Sequence, residues 1–326
     1  MMKTTESKTG SQTWKIVLIA VLGIVAVVLP FITPSYLLRM VDMFLIGSVF
    51  ALSLNLLLGY TGLLSFGHAV YFGLGAYGVA LLMDKAGLPY FAAVPLSLIM
   101  TIAVAAIIGY FCSRVVAMGF AILTMAIGQL FFTLFTKWYH FTGGDDGISG
   151  IHPPDFIASG TNYYFFVLVV FLLAVWALWR IVNSPFGYSL RYLRDNRPRA
   201  QAIGINIQRY QWLSFIVAGA FAGLAGCIFV TLDGMIDPQC LAVGKSSEAI
   251  IMTILGGAGT FGGPIVGALL VTFLQFYVIK YTLFWPFIMG LVLILVVRFL
   301  PGGISGYIMT KWRTRGLKQG EEVKAE

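Results

Sequence analysis

The stretch Ala51-Leu-Ser-Leu-Asn-Leu-Leu-Leu-Gly-Tyr-Thr-Gly-Leu-Leu-Ser-Phe-Gly-His-Ala69 contains no Asp, Glu, Lys or Arg, and it joins two longer apolar runs, 40–58 and 62–83. Such a run needs an apolar solvent. Apolar residues make up 59% of the 326-residue chain and charged ones only 10%, whereas an average soluble domain carries about 25% charge. Mean hydropathy is +0.90. A globular surface cannot carry so large an apolar excess without becoming sticky, and lipid is the solvent that accepts it. A spanning helix needs roughly 20 mostly apolar residues, so ten spans take up about 200. Short loops remain, with no room for a soluble catalytic or nucleotide-binding domain.

Outward from that stretch, spans are expected at 15–33, 40–58, 62–83, 91–112, 115–136, 163–182, 211–232, 248–258, 264–280 and 283–300. The fold class is therefore an all-α membrane bundle of about ten transmembrane helices. The first span follows lysines, as a signal peptide would. It lacks a small-x-small cleavage site and runs into Pro30 and Pro34, so it reads as a retained anchor. The eighth is too short to cross alone and reads as a half-helix or re-entrant piece. Such a piece is tolerated only where protein or a water-filled cavity surrounds it. The organisation is a tail at 1–14, a membrane domain at 15–305 and a basic tail at 306–326. Its two long loops are an outer one, 137–162, and an inner one, 183–210.

Orientation follows from basic residues near span ends. With the N-terminus inside, the inner face receives sixteen: Lys3, Lys8, Lys15, Arg114, Arg180, Arg191, Arg194, Arg197, Arg199, Arg209, Arg298, Lys311, Arg313, Arg315, Lys318 and Lys324. The outer face receives five: Arg39, Lys85, Lys137, Lys245 and Lys280. Both termini then lie in the cytoplasm. Nucleic-acid binding would gather the basic residues on one face with stacking aromatics. Here their placement follows the membrane instead.

Glycines punctuate the apolar runs at Gly59, Gly62, Gly256 and Gly259. Small residues allow close helix packing in lipid; an unwound helix exposing its backbone to solute is the second reading. Leu58-Gly-Tyr-Thr-Gly62 and Leu255-Gly-Gly-Ala-Gly259 echo each other. Asn55, Ser65 and His68 flank the first break, and Thr124 and Gln129 lie in the fifth span. Polar groups at such depth either line a pathway or bond a neighbouring helix. Glu248 opens the short eighth segment, where a carboxylate suits the positive helix end or a solute. Asp145 and Asp146 sit in a glycine-rich turn, a loop geometry rather than an acid/base pair. Cys112, Cys227 and Cys240 form neither a CxxC pair nor a metal knuckle. Gly244-Lys245-Ser246 imitates the end of a phosphate-binding loop but has Gln239 where that loop needs glycine. Neither a catalytic set nor a metal site is expected, and any ATP must be bound by another subunit.

Six collinear stretches resemble one family. They are 51–69 above, Thr142-Gly-Gly-Asp-Asp-Gly147, Ser184-Pro-Phe-Gly187, Arg194-Asp-Asn196 running to Ala202-Ile-Gly-Ile-Asn206, Leu255-Gly-Gly-Ala-Gly-Thr260 and Phe299-Leu-Pro-Gly-Gly303. Together, over about 50–305, they look like the LivM-type permease subunit of bacterial ABC importers for branched-chain amino acids. The resemblance implies an inner-membrane protein working with a related second permease, two cytoplasmic ATPase subunits that hold ATP and Mg, and an external solute-binding protein. It implies that Asp145 and Asp146 face the binding protein. It also implies that the inner loop carries a coupling helix seated in an ATPase groove, built here on Arg194, Asp195, Asn196, Ala200, Ala202 and Gly204. The wider importer class has a Glu-Ala-Ala…Gly signature there; in this chain Arg199 stands where an acid is expected. Urea, short amides or aromatic acids are alternative solutes for the same machine. An ion-coupled secondary transporter acting alone is a different class. It calls for intramembrane carboxylates or lysines, and none is expected well inside a span.

Overall fold

The computed structural model describes residues 23, 26–115, 118–282, 284–300 and 302–307. Helix α1 (Ser35–Asn55) passes directly into a π-helical turn, Leu56–Thr61. Then follow α2 (Ala69–Asp84), α3 (Tyr90–Cys112), α4 (Met118–Lys137) and α5 (Gly160–Val182). Two short helices, α6 (Pro185–Asp195) and α7 (Arg197–Ala202), precede the long α8 (Ile207–Asp233). The chain ends in α9 (Val243–Gly256), α10 (Gly263–Ile279) and α11 (Trp285–Phe299).

Five of these elements are long and apolar enough to cross a membrane: α1 with its π turn, α3, α4, α5 and α8. Ala69–Asp84, Gly263–Ile279 and Pro286–Val296 are shorter apolar helices. At 14 residues, α9 is about 21 Å long, less than the roughly 30 Å of hydrocarbon. The described residues therefore hold fewer full-length crossings than the ten expected. The expected first span, 15–33, lies for most of its length outside the described residues. The expected span at 62–83 begins seven residues late, at Ala69, because 62–68 leaves helical geometry.

Among the long described helices, α1 and α8 are the most enclosed, and α3, α4 and α5 present most of their surface outward. Ile99, Ile107, Ile122, Leu130, Leu173 and Trp176 all stand exposed on those three. That is the inside-out pattern that lipid permits.

Glycine lets α2 and α8 cross almost backbone to backbone. A Cβ at Gly75 would lie 2.1 Å from the Gly223 carbonyl oxygen, and one at Gly226 would lie 1.9 Å from that of Phe72. Without a strong hydrophobic drive between helices in lipid, such close contact is what holds them. Helix α8 also fixes two ends of the molecule. Its start follows the arginine-bearing α6 and α7. Its finish turns at Gly234 into β2 (Met235–Ile236), which pairs antiparallel with β1 (Ile148–Ser149), Ile148 opposite Ile236. The acidic turn Gly144–Asp146 precedes β1, so it lies at the far end of α8 from the arginines.

Candidate functional site

Two helix breaks face each other at the arginine-rich end. In the first, the π turn admits one extra residue into the coil and is closed by Gly62 at φ 74°. π turns occur often at functional sites. In the second, α9 stops at Gly256, and Gly257 and Gly259 take φ 117° and 84° before α10 begins. Asn55 joins the two: its Nδ2 donates to the Thr260 carbonyl at 3.0 Å and its Oδ1 accepts from the Gly259 N–H at 3.0 Å. A Cβ at Gly59 would sit 2.4 Å from the Gly259 nitrogen, and one at Gly256 would sit 1.9 Å from the Gly263 carbonyl oxygen. Both glycines are thus needed for close approach. The echoing stretches Leu58–Gly62 and Leu255–Gly259 meet in space.

The arginine loop grips this junction. Helix α6 buries Leu190 and Leu193, which turns Arg191 and Arg194 toward the breaks. The Arg194 guanidinium donates to the Gly59 carbonyl, and its Nε donates to Asp195 Oδ1 at 3.0 Å. Its stem lies against Gly62, where an added Cβ would come within 2.9 Å of Arg194 Cγ. A Cβ at Gly259 would meet the guanidinium at 2.8 Å. Arg191 stacks over Tyr60 at 5.0 Å and Tyr188 at 5.2 Å. One side chain, Arg194, therefore touches both breaks.

By its pattern, Tyr188 to Ile203 reads as a short amphipathic helix interrupted at Pro198 and stopped by Gly204. The interruption falls at Asn196 instead, whose extended backbone separates α6 from α7 and whose Oδ1 accepts from the Arg199 N–H at 3.0 Å. Asparagine is a strong N-cap and proline is tolerated in a first turn, so the cap sets the boundary. Ala200 is buried within the chain itself, whereas Ala202 and Gly204 are exposed and Ile203 is 65% exposed.

The remaining sequence-derived residues are scattered. His68 is wholly enclosed, its Nε2 2.8 Å from Ser53 Oγ and its ring stacked on Phe50. Ser65 is buried, and its hydroxyl has no hydrogen-bond partner among the described residues. Thr124 Oγ1 accepts from the Phe66 N–H at 3.3 Å, tying α4 to the non-helical 62–68 segment. Gln129 is exposed on the other side of α4, apart from this group. Asp145 and Asp146 are exposed at the opposite end, where Tyr139 donates to Asp146 at 3.4 Å.

Sequence reasoning singled out Glu248 but missed its pairing with Lys245 and the burial of Asp42 inside the bundle. Lys245 and Glu248 form an ion pair at 2.8 Å, with side chains only 26% and 15% exposed. Lys245 also lies over Phe72 at 5.4 Å and Phe229 at 5.7 Å. Glu248 does not open α9, which starts at Val243. Lys245 belongs to that helix and not to an outer loop. The two charges neutralise each other one turn apart, so a helix can carry them into the interior. Their i, i+3 spacing was the available signal. Asp42 of α1 is buried too, its Oδ1 without a hydrogen-bond partner among the described residues. Arg39 pairs with Asp233 at 2.6 Å where α1 begins and α8 ends. Lysine, carboxylate and arginine line a cavity of about 290 Å³ between α1, α2, α8, α9 and α10.

The chain is similar to several transport proteins. It is 25% identical over 337 residues to the high-affinity branched-chain amino acid transport system permease protein LivM of Escherichia coli, covering 95% of this chain and 79% of that protein. It is 25% identical over 310 residues to a probable branched-chain amino acid transport permease of Methanocaldococcus jannaschii, covering 78% and 89%. A shorter match, 32% over 142 residues and 41% of this chain, is to the autoinducer 2 import system permease protein LsrC of Photorhabdus laumondii, 42% of which is covered. No solved structure matches. The family described as the permease component of branched-chain amino acid transport systems matches residues 36–297, nearly the whole described bundle. The chain is a multi-pass membrane protein of the branched-chain amino acid transport permease family.

Proposed function

We propose that this chain is one permease subunit of an ATP-driven ABC importer that moves a small, mostly apolar amino acid (leucine, isoleucine or valine) across the plasma membrane. It works beside a second, related permease. Two cytoplasmic ATPase subunits hold ATP and Mg, and an external binding protein delivers solute to the acidic turn at Asp145 and Asp146. The arginine-rich end and both termini face the cytoplasm, where anionic lipid also attracts the arginines. The supporting observation is the Arg194 contact with both helix breaks. An ATPase that shifts α6 and α7 pulls on Gly59 and Gly259 together. Asn55, Gly59, Gly62, Gly256 and Gly259 then act as the moving part of the pathway, and His68, Ser65 and Thr124 hold the packing behind it. The names of the LivM relatives favour branched-chain amino acids. The partial similarity to the autoinducer 2 permease leaves a more polar solute as the alternative, which the ligand of the binding protein decides.

Exposed Ala202, Ile203 and Gly204 are the surface left for an ATPase groove. Ala202→Trp is expected to release the ATPase or uncouple its hydrolysis from solute, because a bulky side chain overpacks a close contact. Arg209→Gln, beside it but outside that knob, is expected to change little. ATP hydrolysis by the reconstituted complex, with and without loaded binding protein, reads both. A tolerant Ala202 with a sensitive Arg209 would mean that the loop reads lipid.

Orientation has its own test. Gly147 is unsuitable for labelling, since a Cβ there would meet the Ile236 carbonyl oxygen at 2.0 Å. Single cysteines at exposed Ala158 and exposed Gln201, in a chain with its three native cysteines replaced, avoid that clash. An impermeant maleimide applied to whole cells should label the first and spare the second; labelling of Gln201→Cys from outside would refute the orientation.

A further inference from the structure

We propose that the cavity between α1, α2, α8, α9 and α10 is a solute site for a zwitterionic α-amino acid with an apolar side chain, with Glu248 taking the ammonium and Lys245 and Arg39 the carboxylate. This deepens the importer reading and rests on it. The volume, about 290 Å³, is at the small end of the few-hundred-Å³ range of ligand pockets. Its wall is mixed in the way such a molecule requires. Arg39, Lys245, Glu248, Thr272 and Gln275 are its polar lining, and Phe50, Phe72, Phe229, Met43 and Met252 are among its apolar residues. Methionine adapts to more than one aliphatic shape.

The charges balance. Arg39 is matched by Asp233 at 2.6 Å and Lys245 by Glu248 at 2.8 Å. A zwitterion can part the Lys245–Glu248 pair and give each member a new partner, leaving no charge uncompensated. A monoanion or monocation would leave one behind, which is costly where water is scarce. A purely structural ion pair would need no adjoining cavity.

Position links the site to the moving part. The cavity runs from Arg39, near the finish of α8, down to Phe50 and Met252. Met252 lies one turn before Gly256, and Phe50 lies five residues before Asn55. A bound side chain would rest on the two helices that end in the breaks gripped by Arg194. Gly47 completes the wall: a Cβ there would meet Met252 and Thr272 side chains at 3.5–3.9 Å, ordinary contact distances. A Cβ can therefore be added at Gly47 in ordinary contact, and its nearest neighbours are side-chain atoms rather than backbone.

The test is uptake of radiolabelled leucine and valine by the complete complex, with partner permease, ATPases and loaded binding protein, in proteoliposomes. Glu248→Gln is expected to lower leucine uptake about ten-fold or more, as loss of one charge-assisted hydrogen bond implies, in a complex that still purifies intact. Exchanging the pair, Lys245→Glu with Glu248→Lys, keeps the ion pair but reverses the ligand polarity set by Arg39, and is expected not to restore uptake. Gly47→Val is expected to lower the leucine-to-valine uptake ratio below that of the wild type. Unchanged uptake in Glu248→Gln, or full rescue by the exchanged pair with an unchanged ratio in Gly47→Val, would overturn the site. A wild-type complex that imports neither amino acid would instead overturn the importer reading on which the site rests.

Discussion

Arg194→Met is expected to leave an assembled transporter that hydrolyses ATP without moving solute. The reason is geometric. The guanidinium donates to the carbonyl of Gly59 while its stem fills the space beside Gly62 and its head lies against Gly259. Methionine preserves the stem and the packing of α6, whose Leu190 and Leu193 stay buried. It removes the donor, so the Gly59 carbonyl in the π turn loses its hydrogen bond to the arginine helix. Movement of α6 would then lose its hydrogen-bonded link to the breaks and reach the π turn only by packing, as where Arg191 lies over Tyr60. Lysine should restore part of the coupling, because it carries the charge but lacks the planar fork that serves two neighbours at once. Uptake and ATP hydrolysis measured on one preparation separate these outcomes. Arg194→Met retaining wild-type uptake per ATP would show that the contact transmits nothing.

Gly226→Val should abolish the fold altogether. Its Cβ would lie 1.9 Å from the Phe72 carbonyl oxygen and 3.1 Å from the Ala76 nitrogen. Both are backbone atoms in the first half of α2, so neither can swing aside as a side-chain tip would. Overpacking a core with extra methylenes typically costs about 1–3 kcal/mol, and a backbone obstacle places this substitution above that range. The helices would have to separate along the whole crossing, because Gly75 lies equally close to Gly223 on the same seam. Gly290→Ala, where nothing lies within 4 Å of the added carbon, is the matching control. Size-exclusion profiles in detergent and thermal unfolding midpoints should show the first variant aggregated and the second unchanged. A monodisperse Gly226→Val protein would mean that the seam between α2 and α8 can open without loss of the fold.

Hydropathy made the long helices legible because a spanning helix must be apolar over its full length. It could not locate the start of α2. Residues 62–68 hold no charged side chain, as their neighbours do not, and their departure from the helix is met by side chains of α4 and α9: Phe66 N–H donates to Thr124 Oγ1 at 3.3 Å and Ala69 N–H to Ser246 Oγ at 2.8 Å. The glycine breaks were visible as composition, but their meeting was not, since Asn55 and Thr260 are 205 residues apart. Thr124 and Gln129 were indistinguishable in sequence. Five residues of α-helix turn a side chain through about 140° beyond a full circle, so one faces the bundle and the other does not. Both faces of α4 are apolar, and no periodicity marks the inner one. The Lys245–Glu248 pair was hidden by an expected boundary at 248 that put the two residues in different kinds of structure.

The enclosure of α1 bears on how the chain is made. This helix leaves the ribosome early, yet among the described residues its Asn55 side chain bonds only Gly259 and Thr260. At about 5–20 residues per second, roughly 10–40 s of translation pass before those partners exist. Ser48 and Ser53 can wait, because each bonds a carbonyl of its own helix. Asn55 has no such local outlet among the described residues, and a bare amide in hydrocarbon is costly. Order of synthesis and order of burial therefore run in opposite directions. A nascent chain halted after α8 holds its innermost helix without the partner that completes it, which makes the last third of the sequence a requirement for the first third to settle.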